Sequence, residues 1–545
     1  MKRIIFIIIL LGIFAGLGVS TIMRTSGTCD EIAHHIPSGF SYYQKWDYRL
    51  NPYTPPLPRY ILALPLGALD LRASFDDASW RDADTPAFGK KLIFEYNPAK
   101  TSSIIFLSRL MILLVGLFAG FLVYQWARRV YGASAGLFAL FLFCFLPEVI
   151  AHSSLATIDL ATAAFLLLSM YTFWRFMRAP RGTTLIIAGI ALGLAQLSKY
   201  TALVLYPVFV IIYLIERTRQ TPEAHRFKKL IYIFLISIAT IWAGYGFKIK
   251  PFLAETINQE EKIAFVQSLA SKVIPSWDEQ KAKKVESFLR NTPLPLTTYI
   301  TGIFGVAKHG KEGHGMFFMG HWSGKGNPFY YVLAFLIKTP LAFIFLLIAG
   351  VCARHYKTDE AYLLIPAAAV FVLASFGNLQ LGMRYILPIF PLLCVFASRL
   401  MPLLRARWQN LAVFAFSAWL AIASVFAAPD YLSYFNEAIG GADHGYKYLR
   451  DSNIDWGQDL PALAGVLKKR DIGEITFLYF GQDSPGRFGI KAADFSEAEF
   501  KTPAAKVYAI SAQYLDSVAW ANKRAPAAKA GYSIFIFDLR NTIQR

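Results

Sequence analysis

The sequence predicts a polytopic α-helical membrane protein of about eleven spans, with interfacial helices in its first outside loop and a small C-terminal α/β domain. Three observations carry this. Of 545 residues, 55% are hydrophobic and only 17% charged, too little charge for a soluble chain of this length. The apolar residues come in long runs. The clusters of basic residues between those runs fall on one side.

The runs lie near 4–22, 103–124, 134–150, 156–176, 183–198, 200–215, 229–248, 328–352, 361–379, 384–400 and 408–428. The first follows Lys2 and Arg3. It is too long for a signal-peptide core and lacks a small-residue cleavage site, so it reads as an uncleaved span. Basic clusters follow at Arg128 and Arg129, at Arg175, Arg178 and Arg181, and at Arg217, Arg219, Arg226, Lys228 and Lys229. Further clusters are Arg354 with Lys357, and Arg399 with Arg405 and Arg407. With this count every cluster faces inward, which places the N-terminus inside and the C-terminus outside. The same pattern accounts for the net charge of +19, so no nucleic-acid partner is expected. Cys29, Cys144, Cys352 and Cys394 show no CxxC spacing, which excludes a disulfide framework or a zinc knuckle as a reading.

A membrane domain over 1–428 thus carries outside loops at 23–102 and 249–327, and a soluble domain follows at 429–545. In the first loop, Pro55-Pro56-Leu57-Pro58-Arg59-Tyr60 leads into Ile61 to Leu69. Read as a span, that run would invert every later loop. It is expected to lie on the membrane, with Arg59 and Tyr60 at headgroup level; a tilted span is the alternative. The second loop has a polar helical stretch over 253–290 and then turns rich in glycine and histidine through His309, His314 and His321. In the tail, Leu460 to Lys469 has helical character. Ile475 to Phe480, Lys506 to Leu515 and Tyr532 to Phe537 read as strands.

The candidate chemistry collects at the outer face. Asp30 and Glu31 follow the first span, where an acidic pair needs a reason. A general base oriented by its neighbour is one reading, and solvated loop charges the other. His34 and His35 add polar or ligand groups, and Asp159 opens a span. Lys199 and Arg384 are outside cations against the general trend, suited to a lipid phosphate or to plain headgroup contact. Arg59, Arg109 and Lys338 are weaker candidates for the same role. Acids that deprotonate an acceptor, with cations that neutralise a departing phosphate, suit sugar transfer from a lipid phosphate.

These segments resemble a known family. Asp30-Glu31, Pro55-Pro56-Leu57, Ala156-Thr157-Ile158-Asp159-Leu160, Leu197-Ser198-Lys199 and Met383-Arg384-Tyr385-Ile386-Leu387-Pro388 are similar to segments of the C-type-fold (GT-C) polyprenyl-phosphate-sugar glycosyltransferases. These are the protein O-mannosyltransferase and lipid A aminoarabinose transferase family. Phe318 to Ser323, Tyr431 to Glu437 and Asp451 to Asp459 resemble an uncharacterised bacterial branch.

The resemblance covers most of residues 1–460. It implies an inverting hexosyl- or pentosyltransferase of the bacterial cytoplasmic membrane, with its active site periplasmic. Asp30 would be the base and Glu31 its neighbour. Lys199 and Arg384, with Arg59, would face the donor phosphate. Asp159, His34, His35 and His321 would line the cavity. The donor would be a polyprenyl-phosphate sugar and the acceptor a lipid, glycan or protein. The β-trefoil of the protein mannosyltransferases has no counterpart here, which counts against a protein acceptor. No cofactor is required, and the histidine-rich loops leave a divalent metal open. A polytopic transporter or lipid flippase of envelope biogenesis is the alternative, although repeated halves and midplane charges, which favour transport, are missing from the pattern.

Overall fold

The computed structural model describes residues 2–217, 225–254, 259–273, 278–353 and 357–540. Every apolar run of the sequence falls on apolar helix. Among the described residues, six helices are long and apolar enough to cross a membrane: Lys2–Arg24, Pro98–Tyr131, Asp159–Arg178, Phe227–Gly244, Thr358–Ser375 and Arg407–Phe426. Two further runs are bent pairs, Ala133–Cys144 with Pro147–Ser153 at 66° and Tyr330–Lys338 with Leu341–Cys352 at 111°. Pro147 and Pro340 sit at those breaks, where a missing N–H ends a helix. Three runs form shorter helices, Gly182–Gln196, Tyr200–Glu216 and Ile389–Leu403. Length and composition therefore give six spans, or eight with each bent pair counted as one, where the sequence predicts about eleven. Large apolar side chains such as Phe414 and Phe426 stay exposed on these helices, as a lipid-facing surface requires. The protein is an integral membrane protein.

Close helix packing comes from small residues. A Cβ on Gly193 would stand 2.5 Å from the Thr240 Cβ, so the Gly182–Gln196 helix lies directly on its neighbour. At one end of the bundle the basic loops meet as ion pairs. Arg178 bonds Glu216 (3.2 Å) and Asp359 (2.8 Å), Arg399 pairs with Glu360 (3.1 Å), and Lys357 donates to the Val130 carbonyl (3.0 Å). Loops predicted to share a side do so here. Arg219 and Arg354 lie outside the described residues.

The first outside loop is helical. Glu31–His35 is a π-helical turn continuing into Ile36–Lys45, and Leu57–Ala63 is an α-helix that tightens into a 3₁₀ turn, Leu64–Ala68. Arg59 is fully buried in the protein, where Gly39 lets the two helices touch, its Cβ position being 2.5 Å from the Arg59 carbonyl oxygen. Gly89 likewise leaves room only for the Ile32 carbonyl, so it braces the π-helical turn. The helical stretch predicted in the second loop is described as two helices, Gln259–Val273 and Glu279–Asn291; residues 255–258 and 274–277 lie outside the described residues. A third helix, Thr297–Glu312, takes in only the start of the segment expected to be a glycine-rich loop, and stops at Gly313, whose φ is +76°.

The tail contains a five-stranded mixed sheet in the order 492–493, 475–478, 507–511, 534–538, 528–530, with the helix Leu460–Lys469 beside it. The two short strands, Ala492–Ala493 and Ala528–Ala530, were not predicted; neither has the β-branched and aromatic pattern that marks the others. The tail is bonded to the first loop. Ser26 N–H donates to the Gln458 carbonyl and Cys29 N–H to the Trp456 carbonyl, both at 2.9 Å, and Gly27 N–H to Asp483 (2.8 Å).

Asp455 and Asp459 are buried at this junction. Burial pushes their carboxyls up, to about 7 and about 8 respectively. A carboxyl that holds its proton more tightly when folded contributes stability fully present below its unfolded pKa of about 4, and that stability is lost as pH rises through the folded value. Thermal unfolding of the protein in detergent should therefore fall in midpoint between about pH 4 and about pH 8. Asp459→Asn should flatten that decline; an equally steep profile in the variant would contradict the assignment. Gly89→Ala should lower the melting temperature by crowding the Ile32 carbonyl, measurable in the same assay.

Candidate active site

The site is built from one loop and three breaks between helices. Glu31 fixes the loop. Arg109, from the Pro98–Tyr131 helix, grips it bidentately through Nε (2.8 Å) and Nη2 (2.7 Å). Glu31 also accepts from the backbone N–H of Thr28 (2.7 Å) and of Ala156 (2.6 Å). Arg109 then donates to the Thr25 and Ser26 carbonyls (3.1 and 2.6 Å). Both side chains are fully buried. Burial pushes the Glu31 carboxyl up, but Arg109 and the backbone donors outweigh it and hold the group ionised. Glu31 itself does not line the cavity that Asp30 faces.

With Glu31 anchored inward, the preceding Asp30 faces a cavity of about 710 Å³. Its Oδ2 accepts from Arg384 Nη1 at 2.7 Å, and no hydrogen bond reaches its other oxygen among the described residues. Burial raises the Asp30 pKa, but the charge and hydrogen bond of Arg384 more than reverse this and hold it well below the usual carboxylate range. Arg384 lies on the short 3₁₀ turn Met383–Tyr385, and its guanidinium covers the Trp456 ring at 4.5 Å. Asp159, at the head of its helix, accepts from Lys199 Nζ at 2.8 Å, and that ammonium lies over the Tyr385 ring at 4.2 Å. Two acid–cation pairs thus face one space, and Tyr385 touches both cations.

Arg59 lines the same cavity. It donates to Tyr42 Oη (2.9 Å) and to the Asn51 and Thr54 carbonyls (3.2 Å each), while its Nη2 is buried without a partner. His34 and His35 line it too. Burial, with Arg59 nearby, pushes His35 down to about 3, so its ring is neutral. Asp30, His34, His35, Asp159, Lys199, Arg384 and Arg59 all line this one cavity.

His321 is not among them. It is exposed on a short hairpin strand, paired in register with Phe318. His309, His314 and Glu312, from the end of the Thr297–Glu312 helix, line the cavity instead. Arg109 and Lys338 also leave the phosphate-binding set. Arg109 is committed to Glu31, and Lys338 is buried against Glu148 (3.0 Å) and the carbonyls of Leu432, Tyr434 and Asn453. Among the described residues no group of three His, Cys, Asp or Glu side chains is placed to hold a metal ion.

The tail supplies two residues whose part in the site the sequence does not reveal. Asp451 lines the cavity with φ +57°, a left-handed conformation for a non-glycine residue, and burial raises its pKa. Trp456, 2% exposed, backs Arg384. The acidic and aromatic density of Asp451 to Asp459 was the available signal. Asp455 does not line the cavity.

Residues 101–243, a minority of the chain, match the family described as dolichyl-phosphate-mannose-protein mannosyltransferase. No curated protein matches. Among solved structures the chain is similar to ArnT from Cupriavidus metallidurans bound to undecaprenyl phosphate, at 14% identity and a TM-score of 0.45 over 98% of this chain and 97% of that one. It is also similar to the archaeal oligosaccharyltransferase AglB from Archaeoglobus fulgidus, in complex with an inhibitory peptide and a dolichol-phosphate. There the identity is 16% and the TM-score 0.43, over 77% and 56% of the two chains. The S. cerevisiae protein O-mannosyltransferase Pmt1-Pmt2 complex, bound to the sugar donor, gives 17% and 0.34 over 46% and 36%.

Glu31→Gln should leave Arg109 buried and poorly compensated, and cost about 3–5 kcal/mol of stability. Chemical unfolding of the purified protein checks this, and a loss below about 1 kcal/mol would remove the pair as an anchor. Trp456→Ala should raise the KM for donor several-fold, with Trp456→Phe recovering most of it; a variant altered in neither KM nor kcat would show the ring to be packing alone.

Proposed function

We propose that the protein is an inverting glycosyltransferase that moves a hexosyl or pentosyl group from a polyprenyl-phosphate-linked donor. The acceptor is a lipid, glycan or protein at the outer face of the bacterial cytoplasmic membrane, with the N-terminus cytoplasmic and the C-terminal domain periplasmic. The observation that carries this reading is the pair of acid–cation contacts, Asp30 with Arg384 and Asp159 with Lys199, facing one cavity. The motifs resembling the polyprenyl-phosphate-sugar transferases, and the family match over 101–243, support the same class.

In the proposed reaction the donor phosphate sits between Arg384, Lys199 and the open Nη2 of Arg59. The acceptor oxygen attacks the anomeric carbon from the opposite face. The bond from that carbon to the phosphate oxygen breaks, and its electron pair leaves on the polyprenyl phosphate, where the cations stabilise the added charge. Asp30 takes the acceptor's proton. An unliganded Arg384 suppresses the basicity of Asp30. A phosphate that draws the guanidinium toward itself restores that basicity only when donor is present. One displacement inverts the anomeric centre.

The bent helix pairs, with Glu148 and Lys338 beside their breaks, are features a lipid transporter would share. That pair is fully buried and away from the cavity, which favours the transferase.

Purified protein given a panel of radiolabelled polyprenyl-phosphate sugars with envelope extract as acceptor source should release polyprenyl phosphate. Asp30→Asn should slow release by about a hundredfold or more with donor binding retained, and Lys199→Met should lose donor binding. Equal release by wild type and Asp30→Asn would remove Asp30 as the base. Movement of unaltered lipid phosphate between leaflets, without sugar release, would favour transport.

A further inference from the structure

A second cavity, of about 650 Å³, opens between the first and second outside loops. Five cations line it, Lys45, Arg49, Arg81, Lys248 and Lys250, against the acids Asp47 and Asp82. Asp47 is already engaged by Arg49 at 2.8 Å. Several of the cations are held in place. Arg49 also donates to the Arg81 carbonyl (3.1 Å), Lys45 lies over the Phe75 ring (4.5 Å), and Lys248 donates to the Trp46 carbonyl beside the Tyr48 ring (4.9 Å). Positioned like charges around a concave space raise the local potential and favour an anion. Arginine adds bidentate geometry for phosphate or carboxylate.

The cavity also has an address. Pro52 lines it, while the adjoining Asn51, Tyr53 and Thr54 line the reaction cavity, so residues 51–54 form a shared wall. Arg59 fixes that wall through the Asn51 and Thr54 carbonyls. A molecule anchored in the basic cavity needs only to pass this short segment to reach the space beside Asp30.

We propose that the basic cavity binds the acceptor through phosphate or carboxylate groups on its saccharide, which makes the acceptor an anionic sugar, free or carried on a lipid. The inference rests on the donor occupying the first cavity.

The test uses the full-length protein in phosphatidylcholine nanodiscs, with fructose 1,6-bisphosphate as the soluble probe and undecaprenyl phosphate as the donor-side probe. The double variant Lys45→Glu, Arg81→Glu should weaken sugar bisphosphate binding by about tenfold or more and leave undecaprenyl phosphate binding unchanged, which also shows that the variant folds. Arg384→Gln should do the reverse. Competition by phosphatidylglycerol added to the nanodiscs would identify a lipid-borne acceptor, and its absence a soluble one; both support an anion site. Sugar bisphosphate binding that survives the double variant, or that is lost in Arg384→Gln, would overturn the proposal. Failure of undecaprenyl phosphate to bind wild type would instead count against the donor reading, since the soluble arm reads the basic cavity separately.

Discussion

The bidentate pair between Glu31 and Arg109 is the contact on which the site depends. It joins the loop after the first helix to the middle of the bundle, and the Ala156 N–H ties the same carboxylate to the segment before Asp159. Glu31 is buried away from the cavity, while the preceding Asp30 lines it. Truncating one partner of so buried a pair leaves the other uncompensated, which is why the arrangement resists drift. Gly89 and Gly39 complete the constraint by letting backbone approach backbone where a side chain would not fit.

The second constraint is electrostatic. Arg384 and Lys199 are each neutralised by a carboxylate, and both press on Tyr385. Such pairing leaves the cations exchangeable: a phosphate can take the place of a carboxylate without leaving a bare charge. The carboxylate released in that exchange is the one that the proposed chemistry uses as a base. The tail takes part through Trp456 behind Arg384 and Asp451 at the cavity wall.

Much of this was legible in the sequence because long apolar runs and one-sided arginines leave few topologies open. Asp30, Asp159, Lys199 and Arg384 stood out as charges where lipid disfavours them. The prolines around Arg59 suggest a membrane-surface helix, and they carry no sign of the Gly39 packing that buries its side chain within the protein. His321 illustrates the limit of composition. A histidine- and glycine-rich stretch was read as one unit, but Gly313 ends a helix within it, leaving His309 and His314 at the cavity and sending His321 to an exposed hairpin. Contacts between residues hundreds of positions apart, such as Arg384 with Asp30, leave no local periodicity to read.

The most direct test of the central claim is the cryo-EM structure of the full chain in nanodiscs with undecaprenyl phosphate bound. The account predicts phosphate density between Arg384 and Lys199, within hydrogen-bond distance of both, with the Asp30–Arg384 contact lengthened and Asp30 facing the open side. Phosphate held elsewhere, with both acid–cation pairs intact, would contradict it.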